Sequence, residues 1–195
     1  LHQYPMKNIQ GKVQSTLVDA NNQVWMLCNH GGASIYHLNK STDQFEAFPL
    51  KGDATMFYGM AMLAAPDGNL YVGTWENGLY KLNADGSAEQ LISGTLSNAV
   101  HHIHQLYCND NKSLLIASDD GLVQYDIQNR IWHMLSEVNN PSRSTSERFV
   151  YGIADDNEGG IWVTTYYGGV NYLPSTSFED RFCAYSARLG GLRGN

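Results

Sequence analysis

The chain has 195 residues, 43% hydrophobic and 16% charged, a balance that marks a globular protein with enough apolar material for a core. Its formal charge of −7 argues against a nucleic-acid partner, which would call for a basic stripe, and reads as ordinary solubility. No apolar run approaches the ~20 residues of a membrane helix, and no signal peptide opens the chain.

Because the first residue is Leu1 rather than Met, the sequence reads as a piece of a longer protein, with any export signal or membrane anchor outside it. The three cysteines, Cys28, Cys108 and Cys183, are odd in number and form no CxxC, so they read as small buried hydrophobes rather than a disulfide framework or a zinc site.

In chain order, residues 1–12 are expected to form a tail strand, with His2, Gln3 and Tyr4 as its aromatic part and Ile9 to Lys12 as a connector. The end, Ala184 and Tyr185 followed by Leu192 to Asn195, has the same pattern. Between them the chain says nearly the same thing four times. Val13 to Gly32 lies on Val150 to Gly169 without a gap, so that Asp19 falls on Asp156, Trp25 on Trp162 and Gly32 on Gly169. Looser copies run from Phe57 to Gly78 and from Val100 to Gly121, and the starts are spaced by 44, 43 and 50 residues. A repeat of this size built from strands is the mark of a propeller or solenoid.

Each unit reads as four short strands. Strand A is Val13 to Val18 in the first copy and Val150 to Ala154 in the fourth, and a turn such as Asp19-Ala20-Asn21-Asn22 follows it. Strand B is an apolar run, Val24 to Leu27, Leu70 to Val72, Leu114 to Ile116 and Ile161 to Val163. Such a run predicts a strand covered on both faces. Glycines at 31–32, 78, 121 and 168–169 then turn the chain into an alternating strand C. Strand D is Phe45 to Phe48, Glu89 to Ile92, Ile131 to Met134 and Phe182 to Tyr185. Where the apolar pattern alternates its period is two rather than 3.6, with no amphipathic helix. The expected fold is all-β, a β-propeller of four four-stranded antiparallel blades at about 13–50, 57–95, 100–138 and 150–187, with 188–195 leading toward a next blade. Both ends are cut at the same phase of the repeat, which favours one arc, residues 1–195, of a larger propeller over a closed four-bladed ring.

The pattern carried by Val150, Ile153, Asp156, Gly159, Ile161, Trp162, Val163, Thr165 and Gly168 to Val170 resembles the two-component regulator propeller repeat. The second copy adds Asp67 to Thr74 and Gly78 to Tyr80, while the third has Leu115 in place of the aromatic and Ser118 in place of Thr. The resemblance implies a propeller of about seven blades in the periplasmic sensor region of a hybrid two-component histidine kinase. It further implies that the parent protein signals, often in response to an oligosaccharide, and that this part does no chemistry and needs no cofactor. Membrane contact would come only through segments outside this chain.

In a blade the D-to-A and B-to-C connections open on one face. The B-to-C loops hold His30, then Trp75, Glu76 and Asn77, then Asp119 and Asp120, then Tyr166 and Tyr167. Flat aromatics beside carboxylates and amides suit a sugar, which has apolar ring faces to cover and hydroxyls to pair. Trp75, Tyr166 and Tyr167 are the expected platforms.

The cluster His101, His102 and His104 is the most metal-like, with His102 and His104 on one face of a strand and His101 on the other. Two ligands without a nearby third make a poor zinc site, so the reading is polar residues along the propeller axis and no metal. Asp155 to Gly160 lacks the order of a calcium loop and reads as a hairpin turn. No nucleophile elbow or phosphate loop is present, so no catalytic residue is assigned. A propeller lyase or a glycoside hydrolase, with Glu76 and Asp119 or Asp120 as carboxylates, is the enzymatic alternative, and a protein-binding scaffold is the third. Exposed blade edges and faces predict partnership with neighbouring blades or with a second copy.

Overall fold

The computed structural model describes residues 2–4, 9, 11–29, 33–51, 58–91, 100–108, 112–135, 148–156, 158–174 and 183–185. Every regular element among them is a strand. The chain divides into two compact units, 1–92 and 93–195.

The first unit holds two four-stranded antiparallel sheets. Sheet one is β1 (Lys12–Val18), β2 (Val24–Asn29), β3 (Ala33–Asn39) and β4 (Gln44–Ala47). Sheet two is β5 (Gly59–Ala64), β6 (Leu70–Thr74), β7 (Leu79–Leu82) and β8 (Ala88–Leu91). The second unit holds sheet three, β9 (Ile103–Tyr107), β10 (Ser113–Ser118), β11 (Gly121–Asp126) and β12 (Ile131–Met134). It also holds sheet four, β13 (Val150–Asp155), β14 (Ile161–Thr165), β15 (Gly169–Leu173) and β16 (Cys183–Tyr185). In each sheet the strands lie side by side in chain order, the meander that short turns allow.

The aspartate of the repeat shapes the A-to-B turn. Asp19 Oδ1 accepts the N–H groups of Asn21 and Gln23, and its Oδ2 accepts the indole N–H of Trp25 at 2.9 Å. Asp67 likewise takes the Asn69 N–H and the Tyr71 hydroxyl, and Asp156 takes the Glu158 and Gly160 N–H groups and the Tyr172 hydroxyl. The carboxylate satisfies the turn amides and ties them to an aromatic on the sheet, which explains why aspartate and aromatic recur together.

The same two faces meet in both units. In the first, Leu17, Trp25, Leu27 and Ile35 of sheet one pack on Met62, Leu70, Val72, Tyr80 and Leu82 of sheet two. In the second, Tyr107, Leu115, Ala117 and Leu122 of sheet three pack on Val150, Ile153, Ile161, Val163 and Leu173 of sheet four. Each fully buried Leu, Ile or Val here contributes about 1.5–3 kcal/mol. Side-chain amides reinforce both contacts. Asn29 Nδ2 donates to the Gly59 carbonyl, and Gln105 pairs twice with Ile153, accepting its N–H at 2.9 Å and donating to its carbonyl at 3.0 Å.

Two expectations are corrected. Residues 2–4 form no strand: Tyr4 packs edge-on against Phe45 of β4 and donates to Asp43, a ring contact rather than a ladder. Nor is every B strand covered on both faces. Burial is continuous along Leu114 to Ser118 but alternates along β14, where Trp162 stays 37% exposed between buried Ile161 and Val163. An apolar run gives the character of both faces and leaves open whether both are covered.

Candidate functional site

Strand A of every sheet carries a bulge at the same place. The pairing skips one residue between Val13 and Ser15, between Gly59 and Ala61, between Ile103 and Gln105, and between Val150 and Gly152. The extra residues are Gln14, Met60, His104 and Tyr151. A bulge leaves its residue outside the ladder and re-aims the side chain. In the second unit the two bulge residues meet: His104 and Tyr151 stack with ring centroids 3.9 Å apart and an interplanar angle of 15°.

The aromatic row continues outward. Tyr151 lies 5.3 Å from Tyr166, and Tyr166 meets Tyr167 edge-on at 4.3 Å. All three are exposed, Tyr167 by 81%. The B-to-C turn of sheet four holds Tyr166 in place, since its N–H donates to the Phe149 carbonyl just before β13.

At the other end of the row Asp119 links two imidazoles. His102 Nδ1 lies 2.5 Å from Asp119 Oδ2, and His104 Nε2 lies 2.7 Å from Oδ1. Burial pushes the Asp119 carboxyl up, but hydrogen bonds from His104 and His102 outweigh it and hold the group below its ordinary value. An ionised carboxylate only accepts, so both facing ring nitrogens carry hydrogen. Next to it Asp120 accepts the His101 main-chain N–H at 3.0 Å, and it also pairs with the His101 ring and with Arg148. Its carboxyl is lowered as well, the push of burial being outweighed by these bonds.

Of the expected site residues, Asp119, Asp120, Tyr166 and Tyr167 come together in the second unit. The two aspartates hold histidines and Arg148 rather than standing ready as bare carboxylates for hydroxyls. The histidines are only partly as expected. His101 and His102 precede β9, His102 in the left-handed region at φ 50°, and only His104 lies on the strand. Even so, His102 and His104 share one carboxylate while His101 takes another. Among the described residues no group of three or more His, Cys, Asp or Glu is arranged to hold a metal ion.

Trp75, Glu76 and Asn77 form the corresponding turn of sheet two in the first unit. The Trp75 N–H donates to the Tyr58 carbonyl, the Asn77 N–H donates to Thr74 Oγ1, and Glu76 is exposed. His30 lies outside the described residues. Sequence reasoning missed Tyr151 and Arg148. Tyr151 is level with His104 in the strand pairing and not in the sequence repeat, where it falls on His101, so neither it nor Arg148 left a signal.

No protein-family model matches the chain, and no curated protein does. Solved structures do. The chain superposes on the extracellular domain of the hybrid two component system BT4673 from B. thetaiotaomicron with a TM-score of 0.71 at 17% identity, over 95% of this chain and 23% of that one. The extracellular domain of the hybrid two component system BT3049 from the same organism gives 0.69 at 18% identity, over 95% and 24%. The RRP9 WD40 repeats give 0.67 at 12% identity, over 92% and 52%. The fold is a β-propeller fold, and the chain spans about a quarter of the length of the two bacterial domains it matches.

Proposed function

We propose that this chain is part of the extracytoplasmic sensing propeller of a hybrid two-component histidine kinase and response regulator, and that it takes an oligosaccharide on the face bearing its B-to-C turns. The observation that carries this reading is the row Tyr151, Tyr166 and Tyr167, three exposed rings rising from the anchored cluster of His102, His104 and Asp119. The rings cover the apolar faces of sugar units, and the fixed imidazoles and Arg148 orient the hydroxyls. Likeness to the extracellular domains of two hybrid two component systems supports the sensor role and the location. Signalling then requires the ligand to favour one arrangement of the parent protein over another.

Titration calorimetry of a panel of defined oligosaccharides tests the proposal. At least one binds the wild-type chain, and Tyr167→Ala weakens it tenfold or more, about 1.4 kcal/mol, with the melting temperature unchanged. Binding untouched by Trp75→Ala, Tyr166→Ala and Tyr167→Ala alike sinks the assignment.

A second reading, a propeller lyase, rests on one contact. Asp119 on His102 Nδ1 is the pairing that fixes an imidazole tautomer in general-base sites. Product formation from an oligosaccharide, abolished by His102→Ala, would replace sensing by catalysis.

A further inference from the structure

The cluster at the foot of the aromatic row holds more donors than its own acceptors use. Asp119 gives Oδ1 to His104 and Oδ2 to His102, and Asp120 gives Oδ1 to Arg148 and Oδ2 to the main chain and ring of His101. Each of the carboxylate oxygens thus faces a donor of the protein itself. Arg148 is the opposite case. Its Nη2 donates to Asp120, and no further partner for the guanidinium stands among the described residues, although the group carries five N–H donors and no acceptor.

Exposure sorts the two kinds of group. The Arg148 side chain is 59% exposed and that of His101 43%, against 12% for Asp120 and 22% for Asp119. The carboxylates lie inward, so a ligand reaching this surface meets N–H groups first. Arg148 also stands beside the rings in the chain. It precedes Phe149, whose carbonyl takes the Tyr166 N–H, and its partner Asp120 follows Asp119, which holds the His104 ring stacked on Tyr151.

We infer that the oligosaccharide is an acidic one, whose uronate carboxylate is held by Arg148 while its sugar rings lie on Tyr151, Tyr166 and Tyr167. This rests on the sensing function proposed above and narrows its ligand. A sugar hydroxyl has a hydrogen to place, and the acceptors here are already taken by N–H groups of the protein. A carboxylate only accepts, and a planar guanidinium meets it with paired N–H groups, a match that an ammonium lacks. The formal charge of −7 opposes an anion, but charges beyond about 8 Å are largely screened at physiological salt, so the local fork decides. Asp119 and Asp120 lie closer. The imidazoles of His101, His102 and His104 that pair with them supply the balancing positive charge once protonated, so binding tightens as pH falls.

Titration calorimetry on matched pairs tests the inference, with oligosaccharides of galacturonate, glucuronate and mannuronate each beside the hexose oligomer made by reducing its carboxyl groups. At least one acidic member binds the wild-type chain about tenfold or more tighter than its reduced counterpart, as a charge-assisted pair gives. Its affinity rises from about pH 8 to about pH 6, and that of the reduced counterpart does not. Arg148→Gln keeps an N–H donor for Asp120 and removes the charge. It abolishes the preference while the reduced counterpart binds within about twofold of its wild-type affinity. Tyr167→Ala weakens both members of a pair alike, since a ring contact does not read the charge. A reduced counterpart that binds the wild-type chain as tightly as the acid overturns the inference and leaves sensing of a neutral sugar standing. A preference that survives in Arg148→Gln, with circular dichroism unchanged, overturns the role of Arg148. Binding of no member of any pair overturns this inference together with the function on which it rests.

Discussion

Replacing Asp119 by Asn keeps the shape of the side chain and removes its charge. The wild-type carboxylate accepts from His102 at 2.5 Å and from His104 at 2.7 Å, one imidazole on each oxygen. The amide keeps one acceptor oxygen and turns an NH2 toward the other imidazole. One charge-assisted hydrogen bond is lost, worth about 1.5–3 kcal/mol, and the other falls to a neutral bond, losing about 1 more. Asp119 is 22% and His102 31% exposed, so water makes good part of this and the net cost falls just below that summed range, to about 2 kcal/mol. For a chain of this length that is a fall of about 4–8 °C in melting temperature. Urea unfolding followed by tryptophan fluorescence at pH 7 measures it. The acid limb gives the sign. A carboxyl held below its unfolded value stabilises the fold fully above that value, and the contribution declines as pH falls through the lower folded value. The gap between wild type and Asp119→Asn therefore closes below about pH 4. A cost under about 0.5 kcal/mol, or a gap equal at pH 6 and pH 2, would refute the role given to this carboxylate.

Gln105→Met keeps the volume of the side chain but strands the Ile153 N–H and carbonyl that the amide satisfies, at a cost of about 2 kcal/mol in urea unfolding. By displacing β13 it also lowers oligosaccharide affinity, a change that calorimetry reads separately from stability. Gly68 and Gly86 make a matched pair, with φ of 81° and 88°. Alanine at 68 meets only open space and costs about 1 kcal/mol of backbone strain, whereas alanine at 86 also overlaps the Pro49 carbonyl oxygen and costs about 3. Asp85 is lowered to about 2 by the Ser87 hydroxyl and main chain and by Lys51, so carbon-13 NMR finds its titration midpoint well under 3.8.

The sequence announced the sheets because the causes of strand and turn are local. Period-two alternation and, in three of the four copies, a turn aspartate with an aromatic a few residues on are visible within one copy, and Asp19 with Trp25 shows why they travel together. The B-to-C turns were legible for the same reason, and Asp119, Asp120, Tyr166 and Tyr167 were found there. Their chemical state was not legible. Asp119 meets its histidines across 15 and 17 residues, and Arg148 reaches Asp120 across 28. The fourth B strand misled because Trp162 is as apolar as Trp25, and composition cannot say whether a partner covers it.

The bulge explains how a repeat that is nearly uniform in its core can build a site that is not. Four strands skip one residue at the same height, so the backbone offers four equivalent positions outside the ladder. In the second unit their neighbours are bound by packing: Ile103 and Val150, each beside a bulge residue, are wholly buried. The bulge residue itself escapes that constraint, and Gln14, Met60, His104 and Tyr151 share neither size nor polarity. Where two adjacent sheets carry a stackable pair, His104 and Tyr151, the rings align and carry the row out to Tyr166 and Tyr167. Exchanging bulge side chains should therefore alter what is bound while leaving the sheets as they are, and Tyr151→Met, at a residue 44% exposed, is the smallest such exchange. It should weaken oligosaccharide binding and leave urea stability within about 0.5 kcal/mol of the wild type. A larger loss of stability would show the bulge residue to be part of the packing, and the separation of scaffold from site would fail.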